Sequence, residues 1–172
     1  MVSEKLVYRN TKYIIIKNKS IISLILRSYA DLDKKKILTV TVNKPRIILD
    51  IIDTCKLPQT SSYRKINSLI KSGLLIPNGE INKKYGKKVT KYVSLFENLE
   101  INIVKNEISV KAKFSEDACY SIFRMMREKI VTFQEQQNVS SSKNYQVVQT
   151  EVISIPSDSM IPFLLKEGII KA

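Results

Sequence analysis

The chain has 172 residues, 44% of them apolar, and a formal charge of +13 from 29 lysines and arginines against 16 aspartates and glutamates. It has no histidine and two cysteines far apart, Cys55 and Cys119, which excludes most zinc sites, serine–histidine–aspartate triads and cysteine–histidine dyads. None of its four glycines falls in a G-x-x-x-x-G-K or G-x-G-x-x-G phosphate loop, so neither an enzyme nor a cofactor is expected.

A basic surplus of this size points to a polyanion, either nucleic acid or an anionic membrane surface. Residues 61–100 carry eight basic against three acidic side chains, and residues 101–172 carry nine against eight. The basic field therefore lies before residue 100. Met1–Lys12 is polar and the apolar run Ile21–Leu26 is too short to span a bilayer. A cytoplasmic, nucleoid-associated protein with buried free thiols is the expectation.

In chain order, the β-branched run Tyr13–Ile16 predicts a short strand. Ser20–Tyr29 predicts a helix with Ile21, Leu24, Ile25 and Ser28 on one stripe. These residues form an N-terminal extension, 1–30. Asp31–Asn43 predicts a second helix, capped by Asp31 or Asp33, although Thr39–Val42 favours strand by local propensity. Lys44-Pro45 breaks it. Arg46–Cys55 predicts a short helix with Ile47, Ile48, Ile51 and Ile52 on its apolar face. Lys56-Leu57-Pro58 is a tight turn.

The next helix runs to Gly73, with Thr60 as the expected N-cap and Gly73 as a left-handed C-terminal residue. Ser62, Ile66, Leu69 and Ile70 face inward. Gln59, Ser61, Arg64, Lys65 and Ser68 face outward, with two cations and no carboxylate. Such a face suits base edges and phosphates. Two short helices joined by a three- or four-residue turn make a helix-turn-helix. Pro77-Asn78-Gly79 is read as a turn. Lys83 to Lys91 holds five lysines and no acid, at the tip of a hairpin whose return strand is Val89–Phe96. Three helices followed by a basic hairpin predict a winged helix over residues 31–98, with the wing on the phosphate backbone.

Residues 99–137 predict a further hairpin, turning at Lys105-Asn106-Glu107, and a long helix, Ser115–Gln137. That helix carries a stripe of Cys119, Ile122, Phe123, Met126, Ile130 and Phe133, expected to form a homodimer seam. Asn138–Asn144 is a polar linker. Tyr145–Ile155 suggests a strand, Pro156–Asp158 a turn and Ser159–Lys166 a last helix, within a C-terminal tail of residues 138–172. The expected fold class is α+β.

Lys36-Ile37-Leu38, Lys44-Pro45, the tract Leu57-Pro58-Gln59-Thr60-Ser61-Ser62-Tyr63-Arg64-Lys65-Ile66 and Gly73-Leu74-Leu75-Ile76 together resemble the archaeal winged-helix transcription regulators of the broad ArsR-like group. Those regulators show a P-x-S/T-x-A/S-x-R-x-I recognition helix followed by L…GL(I/L). Gly86-Lys87-Lys88-Val89 with Tyr92 resembles their wing. The resemblance covers residues 31–96. It implies a usually dimeric protein that binds double-stranded DNA. By position it implies that Gln59, Thr60, Ser61, Tyr63, Arg64 and Lys65 face DNA and that Lys83, Lys84, Lys87 and Lys88 form the wing contact. Lys44, Arg46, Ser68 and Lys91 join this expected DNA-binding set on charge and position. The metal-sensing branch places cysteine and histidine ligands on a helix, and this chain has no histidine, so metal sensing is not expected. A non-specific nucleic-acid binder and a protein-interaction module are the competing readings of the same charge and stripes.

Overall fold

A computed structural model of the chain describes residues 13–125 and 160–171. Among the described residues the architecture is mixed α+β, with antiparallel strands in two small sheets. In order come β1 (Ile14–Ile16), α1 (Lys19–Ala30), α2 (Leu32–Val42), α3 (Ile48–Cys55) and α4 (Gln59–Ser72). They are followed by β2 (Leu75–Asn82), a tight turn over Lys84–Gly86, β3 (Lys88–Ser94), β4 (Phe96–Val104) and β5 (Glu107–Phe114). Helix α5 is described over residues 116–125, and α6 (Met160–Lys166) follows. The expected residues 1–12, linker 138–144, strand 145–155 and turn Pro156–Asp158 lie outside the described residues.

Local chemistry accounts for most element ends. Asn18 caps α1 by accepting from the N–H groups of Ser20 and Ile21, and Asp31 caps α2 through Asp33 and Lys34. The strand propensity of residues 39–42 is overridden. Thr41 is fully buried, but its hydroxyl donates to the Ile37 and Leu38 carbonyls of the preceding turn, so the helix satisfies it internally. Lys105 and Asn106 both take positive φ, 50° and 65°. Two such residues make a hairpin turn whose twist matches the flanking strands, and β4 and β5 pair out to Val104↔Glu107.

Three expectations about local backbone structure are corrected. Helix α4 starts at Gln59 with Pro58 in the cap position and no side-chain cap, so Thr60 lies inside its first turn. Arg46 is not helical. Its backbone exchanges hydrogen bonds with Tyr92, at 2.9 and 2.7 Å, as an isolated bridge onto β3. Pro77-Asn78-Gly79 does not reverse the chain. The β2–β3 register shifts between Pro77 and Glu80, so these residues form a bulge inside β2. The bulge is tied down, because Asn78 Nδ2 donates to the Asp117 carbonyl (3.0 Å) and to Ser121 Oγ (2.8 Å) on α5.

One buried cluster joins the elements. Ile14 and Ile16 of β1, Ile21 and Ile25 of α1, Ile37 of α2, Ile51 of α3, Ile66 and Leu69 of α4, and Val110, Ala112 and Phe114 of β5 all belong to it. β1 pairs with β5 through Ile14↔Ala112 and Ile16↔Val110. The first strand is therefore held by residues almost a hundred positions later. Residues 13–30 thus share a core with the helices that follow. Each fully buried isoleucine or leucine contributes about 2 kcal/mol of burial.

Ser115 caps α5 as expected, accepting from Ala118 N–H at 3.1 Å. Cys119 and Ile122 are buried in this same core, which corrects their expected place in a dimer seam: they pack on their own chain. Phe123 is half-buried. Met126, Ile130 and Phe133 lie outside the described residues. The last segment also reaches the core. Leu164 and Ile170 are buried, and Lys171 N–H approaches the Ser72 carbonyl at 3.4 Å. The tail therefore sits against the C-terminal end of α4. No helix among the described residues is long and apolar enough to cross a membrane.

Candidate nucleic-acid interface

Helix α4 advances 100° per residue, so positions four, seven and eleven apart form a row. Ser62, Ile66, Leu69 and Gly73 make the buried row. Two residues away in sequence, and so on the opposite side of the helix, Thr60, Arg64, Asn67 and Lys71 make an exposed row. Gln59 is exposed at its start, and Tyr63 flanks it at 39% exposure. The whole helix lacks a carboxylate. Two cations, an amide and a hydroxyl in line are a set of donors and acceptors suited to base edges.

The third row, Ser61, Lys65, Ser68 and Ser72, is half-buried and faces other protein groups. Ser61 Oγ donates to the Pro58 carbonyl at 3.1 Å. Lys65 Nζ lies 2.8 Å from Asp31 Oδ1 and 2.7 Å from Asp33 Oδ2. Ser68 Oγ accepts from Lys34 Nζ at 3.0 Å. The outward face expected from the sequence is thus rotated. Lys65 and Ser68 anchor α4 to the start of α2, while Asn67 and Lys71, which sequence reasoning passed over, stand in the exposed row. The helical spacing from Arg64 was the signal that could have found them.

The anchor has a pH signature. The hydrogen bond from Lys65, aided by those from the Lys34 and Asp33 backbone, holds the Asp31 carboxyl below its ordinary pKa against the opposing effect of burial. Hydrogen bonds to Asp31 and Asp33 raise Lys65. A lowered acid stabilises the fold above its unfolded pKa and loses that contribution as pH falls through the folded value. A raised lysine stabilises below its unfolded pKa and loses that contribution as pH rises through the folded value. The anchor is therefore complete from about pH 5 to pH 9, between the ordinary aspartate and lysine ranges. Asp31→Asn preserves a capping side chain but removes the charge. Its melting temperature should fall below wild type at pH 7, and the difference should shrink steadily as pH falls below the ordinary aspartate range. A pH-independent difference would show that the charge is not what matters.

The β2–β3 hairpin rises out of the core. Leu75, Ile76, Val93 and Ser94 are buried at its base, while Ile81, Asn82, Lys83, Lys87 and Lys88 are exposed toward its tip. The tip closes through Lys83 N–H to the Lys87 carbonyl (2.8 Å) and Gly86 N–H to the Lys83 carbonyl (3.2 Å). Lys84 lies in this turn. Lys88 Nζ is 3.9 Å from Glu80, with both side chains mostly exposed, a pairing too loose to neutralise it. Tyr85, also passed over in the sequence, stands at the apex, fully exposed at 104% and with φ 68°.

The remaining expected residues divide. Lys44 is exposed. Arg46 is half-buried, and its guanidinium donates to the Val40 carbonyl (2.9 Å) and to Thr54 Oγ1 (3.3 Å). That side chain braces α2 against α3. Lys91 is half-buried and lies in the field of Asp117, whose carboxyl is raised by burial and by Glu116. Comparison with protein families, with characterised proteins and with solved structures returns no match to this chain.

Proposed function

We propose that this chain is a DNA-binding transcription regulator. In this reading α2, α3 and α4 form a winged helix, α3 and α4 form its helix-turn-helix, and the β2–β3 hairpin is the wing. The observation that carries the reading is the carboxylate-free row Thr60, Arg64, Asn67 and Lys71, directly opposite the buried row of the same helix. The exposed lysines of the hairpin tip and the three-residue turn between α3 and α4 support it.

Each group has a role that its chemistry suits. Arg64 pairs with guanine O6 and N7 in the major groove, and Asn67 pairs with adenine N6 and N7. Lys44, Lys71, Lys83, Lys87 and Lys88 take phosphates. The first turn of α4 has no side-chain cap, so its backbone N–H groups are open to a further phosphate oxygen.

The test is to select bound fragments from genomic DNA with the purified protein and then measure affinity by fluorescence anisotropy. Arg64→Ala should weaken selected duplexes by about 1–3 kcal/mol, with a much smaller loss on random duplex. Equal losses on both would remove base reading by Arg64. RNA competing as well as selected duplex would overturn the DNA assignment.

A further inference from the structure

Tyr85 is the least explained side chain among the described residues. Its backbone is left-handed, φ 68° and ψ 25°, a conformation disfavoured for a residue with a Cβ and more so for a bulky one. Gly86 follows at φ 72°. The ring recovers nothing from the fold in exchange, because its exposure is complete. Glycine would hold the same turn more comfortably. Strain of this kind persists where the surroundings fix it, and it clusters at places that meet a ligand. Here the surroundings are a closed tip, pinned by the two hydrogen bonds across Lys83–Lys87 and edged by the exposed ammonium groups of Lys83, Lys87 and Lys88.

We propose that Tyr85 is a base-stacking wedge. Resting on the DNA-binding reading above, the lysines seat the hairpin tip on the two phosphate strands that border a minor groove. The phenol ring then enters the groove and slides partly between two base pairs, opening that step and kinking the duplex. The three requirements are met at one place: a flat aromatic face, cations on both sides of it in sequence, and a hydrogen-bonded turn that leaves it fully exposed. Aromatic rings stack on any base, so the wedge adds affinity with little sequence preference. It favours flexible pyrimidine–purine steps, which unstack most readily.

The chain has no tryptophan, so Tyr85→Trp introduces a single reporter at the tip of the full-length protein. On adding a 20-base-pair duplex, its emission should be quenched and its accessibility to iodide should fall several-fold. A tryptophan placed at Ile103, exposed on the β4–β5 hairpin, should change little. Wild-type protein should shorten the end-to-end distance of the duplex measured by energy transfer; Tyr85→Ala should abolish that shortening and weaken duplex binding roughly tenfold, the size of one lost base stack. Tyr85→Phe should retain both. Tyr85→Gly should melt a few degrees higher than wild type while binding as poorly as Tyr85→Ala, a combination that a structural role for the ring does not produce. If the protein binds duplex with the usual salt dependence but the tip tryptophan stays open to iodide, the wedge is wrong and the DNA-binding reading stands. If the wild type does not bind duplex, both fall.

Discussion

Replacing Gly73 with alanine is expected to cost about 3–5 kcal/mol of folding free energy, lowering the melting temperature by on the order of 10 °C. Two effects combine. Gly73 closes α4 at φ 78°, where its N–H and that of Leu74 reach back to Ile70 and Leu69. An alanine in that left-handed geometry costs about 1–2 kcal/mol. The larger effect is steric. A Cβ on Gly73 would overlap the main-chain carbonyl of Ile169, which has no rotamer by which to move away. The segment must lift, and it carries Leu164 and Ile170, both buried in the core and each contributing about 2 kcal/mol. Thermal and denaturant unfolding of Gly73→Ala measure the sum. The same change in an Ile170→Ala background should cost clearly less, because the tail is already loosened. Equal costs in the two backgrounds would show that contact with the tail does not matter to α4.

The second large effect concerns the hairpin tip. Each phosphate neutralised by a lysine contributes about −0.9 to the slope of log affinity against log salt. Lys83, Lys87 and Lys88 are exposed, and the one ion pair among them is the loose contact with Glu80. Replacing all three with alanine should make the slope shallower by roughly 2.7 and weaken duplex binding on the order of 10²-fold near 0.15 M salt. The loss should be alike on selected and random sequences, in contrast to that of Arg64→Ala, since phosphates carry no sequence. Folding should be nearly unaffected, because none of the three packs against the core. A change confined to selected sequences would mean that the tip reads bases through its lysines and would require another account of the charge.

What the sequence disclosed, and what it withheld, follows from the range of the interactions. Elements fixed by neighbours in the chain were legible. The caps at Asp31 and Ser115, the left-handed Gly73 and the turn at Lys105-Asn106 are each determined within a few residues, and each is where the pattern puts it. Features fixed by distant partners were not legible. The Pro77-Asn78-Gly79 stretch carries every mark of a turn. It is a bulge because Asn78 finds Asp117 and Ser121 some forty positions away. Lys65 has the composition of a contact residue, but Asp31 and Asp33, more than thirty positions earlier, take its charge. Cys119 and Ile122 lie on a stripe that fits a partner helix equally well, and only the three-dimensional packing assigns them to their own core. Tyr85 was overlooked for a different reason. An exposed aromatic residue leaves no periodic trace, and its left-handed backbone cannot be inferred from neighbouring lysines.

The seating of the tail beside Gly73 bears on how the molecule matures on the ribosome. Helix α4 leaves the exit tunnel long before residues 164–170 exist. At ordinary rates of translation the interval is on the order of several seconds. Throughout it the nascent chain displays its cationic row while the far end of that helix still lacks the strip that braces it. Wild-type and Ile170→Ala chains should therefore diverge in protease sensitivity only once residues 164–170 have left the tunnel.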